Sequence, residues 1–228
     1  MRILGAIAFL LSLCSGPLQA QSRCGLSLVL ALDVSSSVDD AEFRLQMRGL
    51  ARALRDPVIL EAVTQAGGLQ AMAFEWSGRD QAVDVVPWTF LRIETDVFAF
   101  ASAIENHRRG FDEFPTALGH ALGHAAIRLS RAPLRCARAV VDVSGDGVNN
   151  EGYEPRLAYE NFDYSNVTVN GLVIEGEMPD PVEYYRDEVI RGPGAFVEVA
   201  RDFSDYEAAM KRKLLREIRG AALSYLAQ

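Results

Sequence analysis

The chain has 228 residues, with 31 acidic against 23 basic side chains (a formal charge of −8), 49% hydrophobic residues and three cysteines. An acidic balance of this size argues against nucleic acid or an anionic membrane as the main partner, since both share the sign of its charge. The length suits one large domain with a substantial core.

Residues 1–20 do not read as part of that domain. Arg2 gives a positive start, Ile3 to Leu13 an apolar stretch, and Pro17-Leu18-Gln19-Ala20 a small residue before a cut. This is the layout of a secretory signal peptide, and the stretch is too short to span a bilayer. Cleavage after Ala20 would leave a single domain over residues 21–228, periplasmic or secreted, and the loss of Arg2 would take the formal charge from −8 to −9. Cys14 raises a lipoprotein alternative, but Leu13 stands where a small residue is wanted. No later apolar run approaches spanning length, so no membrane insertion is expected once the signal is removed.

The first strand is Leu26 to Leu32, and it runs into Asp33-Val34-Ser35-Ser36-Ser37. Asp39-Asp40 then opens a helix with apolar residues at Phe43, Met47, Leu50 and Leu54, acidic at its start and carrying Arg48, Arg52 and Arg55 later, as the helix dipole favours. Leu69 to Trp76 and Ala82 to Val86 are strands joined by Ser77-Gly78-Arg79-Asp80, too short for a helical crossover, so they should pair antiparallel. Thr95 is placed as the cap of a helix through Phe98, Ile104 and His107; a second helix begins near Pro115-Thr116 and ends around Ser130. Ala137 to Val143 is a near-continuous apolar strand suited to the centre of a parallel sheet. Val167 to Ile174 and Ala195 to Val199 complete the strands, with helices over Asp180–Ile190 and Ser204–Leu226. The alternation predicts a Rossmann-like, doubly wound α/β fold: a mostly parallel six-stranded sheet with one antiparallel edge strand and helices on both faces.

Cys24 and Cys136 each precede an apolar strand that leads to an acid, Asp33 and Asp146. If those strands are adjacent and parallel, the cysteines meet at the far end of the sheet from the acids, and in an exported protein such a pair favours a disulfide. In a doubly wound sheet, ligands gather at the carboxyl ends of strands where the winding reverses. Asp33, Ser35, Ser37, Thr116 and Asp146 would converge there. Alternate residues of an extended segment point the same way, which pairs Ser35 with Ser37. Oxygen-only ligation of this kind suits a hard divalent cation: Mg²⁺, Mn²⁺ or Ca²⁺.

Asp33-x-Ser35-x-Ser37, a threonine opening a helix, and an Asp-Gly after a central strand together resemble the von Willebrand factor A family, over nearly all of residues 21–228. Ser144-Gly145-Asp146-Gly147 with Asn149-Asn150 looks most like its uncharacterised exported bacterial members. The resemblance implies that the five residues form a metal-ion-dependent adhesion site, whose ion bridges the chain to a carboxylate on a protein partner. Many relatives have Thr-Asp-Gly where this chain has Gly145-Asp146-Gly147, which raises the question of whether Asp142 or Asp146 faces the ion. Asp146, at the rim of the sheet, is the choice here. Two carboxylates balance a divalent ion and leave a position open, and sparse ligation that retains waters favours Mg²⁺.

Other readings are weaker. Asp142, Ser144, Asp146, Gly147 and Asn150 fall at calcium-loop positions, but Tyr153 stands where the bidentate glutamate belongs and a strand precedes the run. His120 and His124 have the spacing of a zinc pair, yet Ala121 follows His120 where the metalloprotease motif needs glutamate. No nucleophile elbow, dinucleotide fingerprint or phosphate loop occurs. Trp76 and Trp88 read as packing, Lys211-Arg212-Lys213 as a solvated helix face, and Asn106 to Phe114 as part of a partner-facing rim. The competing function is a periplasmic metal-dependent hydrolase on the same ion with His120 as base. A third is a scaffold that the metal merely stabilises.

Overall fold

The computed structural model describes residues 24–226; the signal peptide expected over residues 1–20, and Cys14 within it, lie outside the described residues. The elements run β1 (Cys24–Asp33), α1 (Asp40–Arg55), α2 (Pro57–Gln65), β2 (Leu69–Trp76), β3 (Ala82–Leu91), α3 (Glu94–Glu105), α4 (Leu118–Ser130), β4 (Cys136–Gly145), α5 (Pro155–Asn161), β5 (Val167–Ile174), α6 (Pro181–Tyr184), β6 (Val197–Ala200) and α7 (Tyr206–Leu226), with a π turn over Tyr185–Val189 after α6.

The strands form one six-stranded sheet in the order β3-β2-β1-β4-β5-β6. All neighbours are parallel except β2 and β3, which places the antiparallel strand at the edge, as expected. The winding reverses between β1 and β4. Every residue of β1 is buried, because both its faces are covered: Leu28, Leu30 and Leu32 enter one core with α1, α2, α3 and α7, while Val29 and Ala31 enter the other with α4 and α5. Cys24 lies opposite Cys136 in the β1–β4 register. The two form a disulfide, with Cα atoms 4.5 Å apart.

Helix α1 starts where the acids predicted. The Asp39 carboxylate accepts from the backbone N–H of Ala41 and Glu42, and Glu42 accepts in return from Asp39 N–H. Phe43, Met47, Leu50 and Leu54 are buried, each stabilising by about 1.5–3 kcal/mol relative to exposure.

Several local expectations are corrected. Asp96, not Thr95, satisfies the free donors at the start of α3 by accepting from Arg92 and Ile93 N–H. That helix ends at Glu105, so His107 lies beyond it and pairs with buried Glu75 (2.9 Å). Pro115 and Thr116 stay in the loop, and α4 begins two residues later. The short helices α2 and α5 were not anticipated. Each opens on a proline at its first turn, where a missing N–H costs nothing. Asp180–Ile190 is one helical turn followed by the π turn. Lys211-Arg212-Lys213 is only partly a solvated face. Arg212 is exposed and Lys211 half-buried. Lys213, however, is 0% exposed on the buried stripe with Met210, Leu214 and Glu217, its Nζ 2.7 Å from Asp142 and 2.7 Å from Glu217. Trp76 is core, and half-buried Trp88 donates its Nε1–H to Arg128 O at 3.1 Å.

Candidate metal centre

The reversal between β1 and β4 brings their two acids together. Asp33 ends β1 and is 0% exposed; Asp146 follows β4 and is 4% exposed. One Asp33 oxygen, Oδ1, accepts from Ser35 N–H at 2.8 Å, which folds the segment after β1 into a turn. That turn sets Ser35 Oγ 3.2 Å from Ser37 Oγ, and Ser37 Oγ donates to Asp146 Oδ1 at 2.8 Å. Thr116 Oγ1 stands 3.5 Å from where a Cβ on Gly147 would lie, directly beside Asp146. The five sequence-predicted residues are thus gathered at one end of the sheet.

The loop segments are pinned by backbone bonds. Ser36 N–H donates to Phe114 O (2.8 Å), and Thr116 N–H to Asn150 Oδ1 (2.8 Å), while Asn150 N–H returns to Thr116 O (2.9 Å). Arg109 is not a solvent-facing rim cation. Its Nη2 donates to Val34 O (2.9 Å) and Ser35 O (3.1 Å), and its Nε to Phe111 O (2.7 Å), tying the loop before Thr116 to the turn after Asp33. Gln46 completes the frame by donating to Asp33 O at 2.9 Å.

The electrostatics are those of a site short of positive charge. Burial, and behind it the negative charge of Asp146, push the Asp33 carboxyl up to about 8. Burial likewise raises Asp146, against the hydrogen bond from Ser37. Asp33 Oδ2 is buried and finds no hydrogen-bond partner among the described residues. Two carboxylates and three hydroxyls with an orphaned, fully buried carboxylate oxygen fit a hard divalent cation, which would supply the missing partner and charge. Among the described residues no three His, Cys, Asp or Glu side chains gather around a common point.

Asp142 is not a candidate ligand. It lies in mid-β4 and pairs with Lys213 beneath the sheet. Ser144, the next position of the calcium-loop reading, contacts the Tyr206 hydroxyl at 3.2 Å, so that reading fails as well. The two histidines go to separate surroundings. His120 stacks on Tyr153 with ring centroids 4.0 Å apart, whereas His124 Nε2 accepts from Arg128 Nε at 3.1 Å. Burial lowers both.

Sequence reasoning missed Tyr185. It is 0% exposed, its hydroxyl has no partner among the described residues, and burial with the nearby Asp33 and Asp146 holds its phenol well above the ordinary value. Neither spacing nor motif marks it, because it reaches the site from the far side of β5.

The model of a family described as "Protein of unknown function (DUF1194)" matches residues 23–222. No curated protein matches the chain. Among solved structures it is similar to proximal thread matrix protein 1 from the mussel byssus with a zinc-occupied MIDAS motif (18% identity, 86% of this chain and 48% of that one, TM-score 0.65). It also resembles a von Willebrand factor type A protein from Catenulispora acidiphila (16%, 86% and 43%, TM-score 0.63). A third is the pilus adhesin SpaC from Lactobacillus rhamnosus GG in its open conformation (12%, 87% and 30%, TM-score 0.60). The chain spans less than half the length of each. At these identities the likeness is one of fold.

Proposed function

We propose a function from this premise: the chain belongs to the family described as protein of unknown function (DUF1194), and its fold is of the von Willebrand factor A type. It is an exported binding protein, not an enzyme, that holds a divalent cation, Mg²⁺ in the first place, on Asp33, Ser35, Ser37, Thr116 and Asp146. Through the ion's open position it engages an acidic group on a protein partner.

The observation that carries this reading is the unpartnered, fully buried Asp33 Oδ2 in a ring of oxygen donors at the winding reversal. Ser37 at the rim is exposed, so a partner's carboxylate has access to the cluster. A zinc-occupied site in one protein of the same fold, and the adhesin role printed for another, support a divalent ion used in binding. The Cys24–Cys136 disulfide supports an oxidising compartment, and among the described residues no helix is long and apolar enough to cross a membrane.

The test is thermal unfolding of the purified protein in EDTA and in Mg²⁺, Mn²⁺ or Ca²⁺, repeated with Asp146→Ala. An ion at about 100 times its Kd adds about 2.7 kcal/mol to stability, which for a domain of this size raises Tm by roughly 5–10 °C. The rise should vanish in Asp146→Ala. A folded protein that no ion shifts would refute the reading.

A further inference from the structure

Gly145 stands where the von Willebrand factor A pattern commonly has threonine, and the structure gives the position a specific neighbour. A Cβ on Gly145 would lie 2.7 Å from Asp33 Oδ2 and also 2.7 Å from the Tyr185 hydroxyl. Two atoms each 2.7 Å from one point are at most 5.4 Å apart. Both are buried, and neither has a hydrogen-bond partner among the described residues. One is an acceptor and the other a donor, so each is what the other lacks.

The approach is built into the sheet. Tyr185 opens the π turn, whose Ile190 N–H returns to Tyr185 O at 2.9 Å, and such turns recur at functional sites. Its ring lies over Gly171 of β5, where a Cβ would come within 2.6 Å of Cδ1. Gly171 faces Val143 in the β4 register, two positions before Gly145, so both glycines open the same face. Their missing side chains leave a groove across β5 and β4 that ends at Asp33 on β1.

We infer that Tyr185 is a positioning residue of the ion site: its hydroxyl, unpartnered among the described residues, faces Asp33 Oδ2 across the space Gly145 leaves open and is placed to hold that carboxylate once the ion is bound. The inference rests on the metal-site reading above. Ser35 N–H holds Oδ1 and the Tyr185 hydroxyl limits where Oδ2 can turn, which leaves the carboxylate's free lone pairs to serve the ion or its waters. Partners of this kind orient a ligand, and losing one typically weakens metal binding about 10–100-fold.

The experiment is Mn²⁺ titration calorimetry on wild type and Tyr185→Phe, with Tm measured in EDTA. The variant should bind Mn²⁺ at least about 10-fold more weakly. Its Tm in EDTA should match or exceed that of wild type, because the hydroxyl has no partner to lose without the ion. Equal Mn²⁺ affinity would overturn the inference. So would a variant that fails to fold in EDTA, since the hydroxyl would then serve packing. A wild type that binds no Mn²⁺ would instead defeat the metal-site reading and carry this inference down with it.

Discussion

Lys213→Met replaces the ammonium that sits between Asp142 and Glu217 with an unbranched apolar chain of similar length. In the native protein Lys213 Nζ is 2.7 Å from each acid, and Asn170 Nδ2 donates to Glu217 Oε1 at 2.7 Å. All three charged groups are at most 1% exposed. Burial pushes Asp142 up to about 7 even with Lys213 holding it down. Removing one partner of a buried ion pair costs about 3–5 kcal/mol, because the remaining charge is left unpaired in a poorly solvating interior. At about 2–4 °C per kcal/mol for a domain of 150–250 residues, Tm should fall by roughly 6–20 °C. The loss has a pH signature. Without Lys213 the Asp142 carboxyl, already raised by burial, has a folded-state pKa above its unfolded one, so its contribution to stability is present at low pH, where it is protonated, and is lost as pH rises. The deficit should therefore be smaller at pH 5 than at pH 8. Asp33 titrates in both proteins and cancels in the difference. The assay is thermal unfolding in EDTA at both pH values, with Lys211→Met as control. Lys211 is 39% exposed and pairs with Asp56 at the surface, a contact worth about 0–1 kcal/mol. Adding Asp142→Asn and Glu217→Gln to Lys213→Met should recover much of the loss, since no charge then remains buried. A Lys213→Met deficit no larger than that of Lys211→Met, or one that does not grow with pH, would refute the reasoning.

Two further outcomes follow from the same structure. The Cys24–Cys136 bridge closes a loop of sequence separation 112, for which chain entropy gives about 5 kcal/mol; Cys24→Ser with Cys136→Ser should lower Tm by roughly 10–20 °C, and equal thermal stability of the reduced and oxidised proteins would contradict this. Asp33, raised to about 8, is protonated in the folded, metal-free protein and ionised in the unfolded chain between about pH 4 and pH 8. Stability in EDTA should decline across that window, and the Mg²⁺-induced rise in Tm should be larger at pH 8 than at pH 6, as differential scanning calorimetry would read.

Much of this protein is legible one residue after another. The alternation of apolar strands with amphipathic helices specifies the α/β class, and the short hairpin connection after Trp76 specifies the antiparallel edge. The matched distances from Cys24 to Asp33 and from Cys136 to Asp146 anticipate a disulfide at one end of the sheet and paired acids at the other. These are periodicities and spacings, and they survive folding because they are properties of neighbours along the chain. Helix boundaries were less legible, since a cap such as Asp96 and a helix as short as α5 depend on which backbone donors end up free.

What only the tertiary structure decided depends on cross-strand proximity. Lys213 reads as one of three solvated cations until α7 is laid on the sheet, where its ammonium meets Asp142 of β4 and Glu217 of its own helix. Arg109 reads as a rim charge until its guanidinium is seen to bond the turn after Asp33. Tyr185 carries no motif at all; two glycines on different strands, 26 residues apart in sequence, give it its path to Asp33. A side chain's role in a site is set by the groups that fill the space around it, and in a doubly wound sheet those groups come from strands that are neighbours in space and remote along the chain.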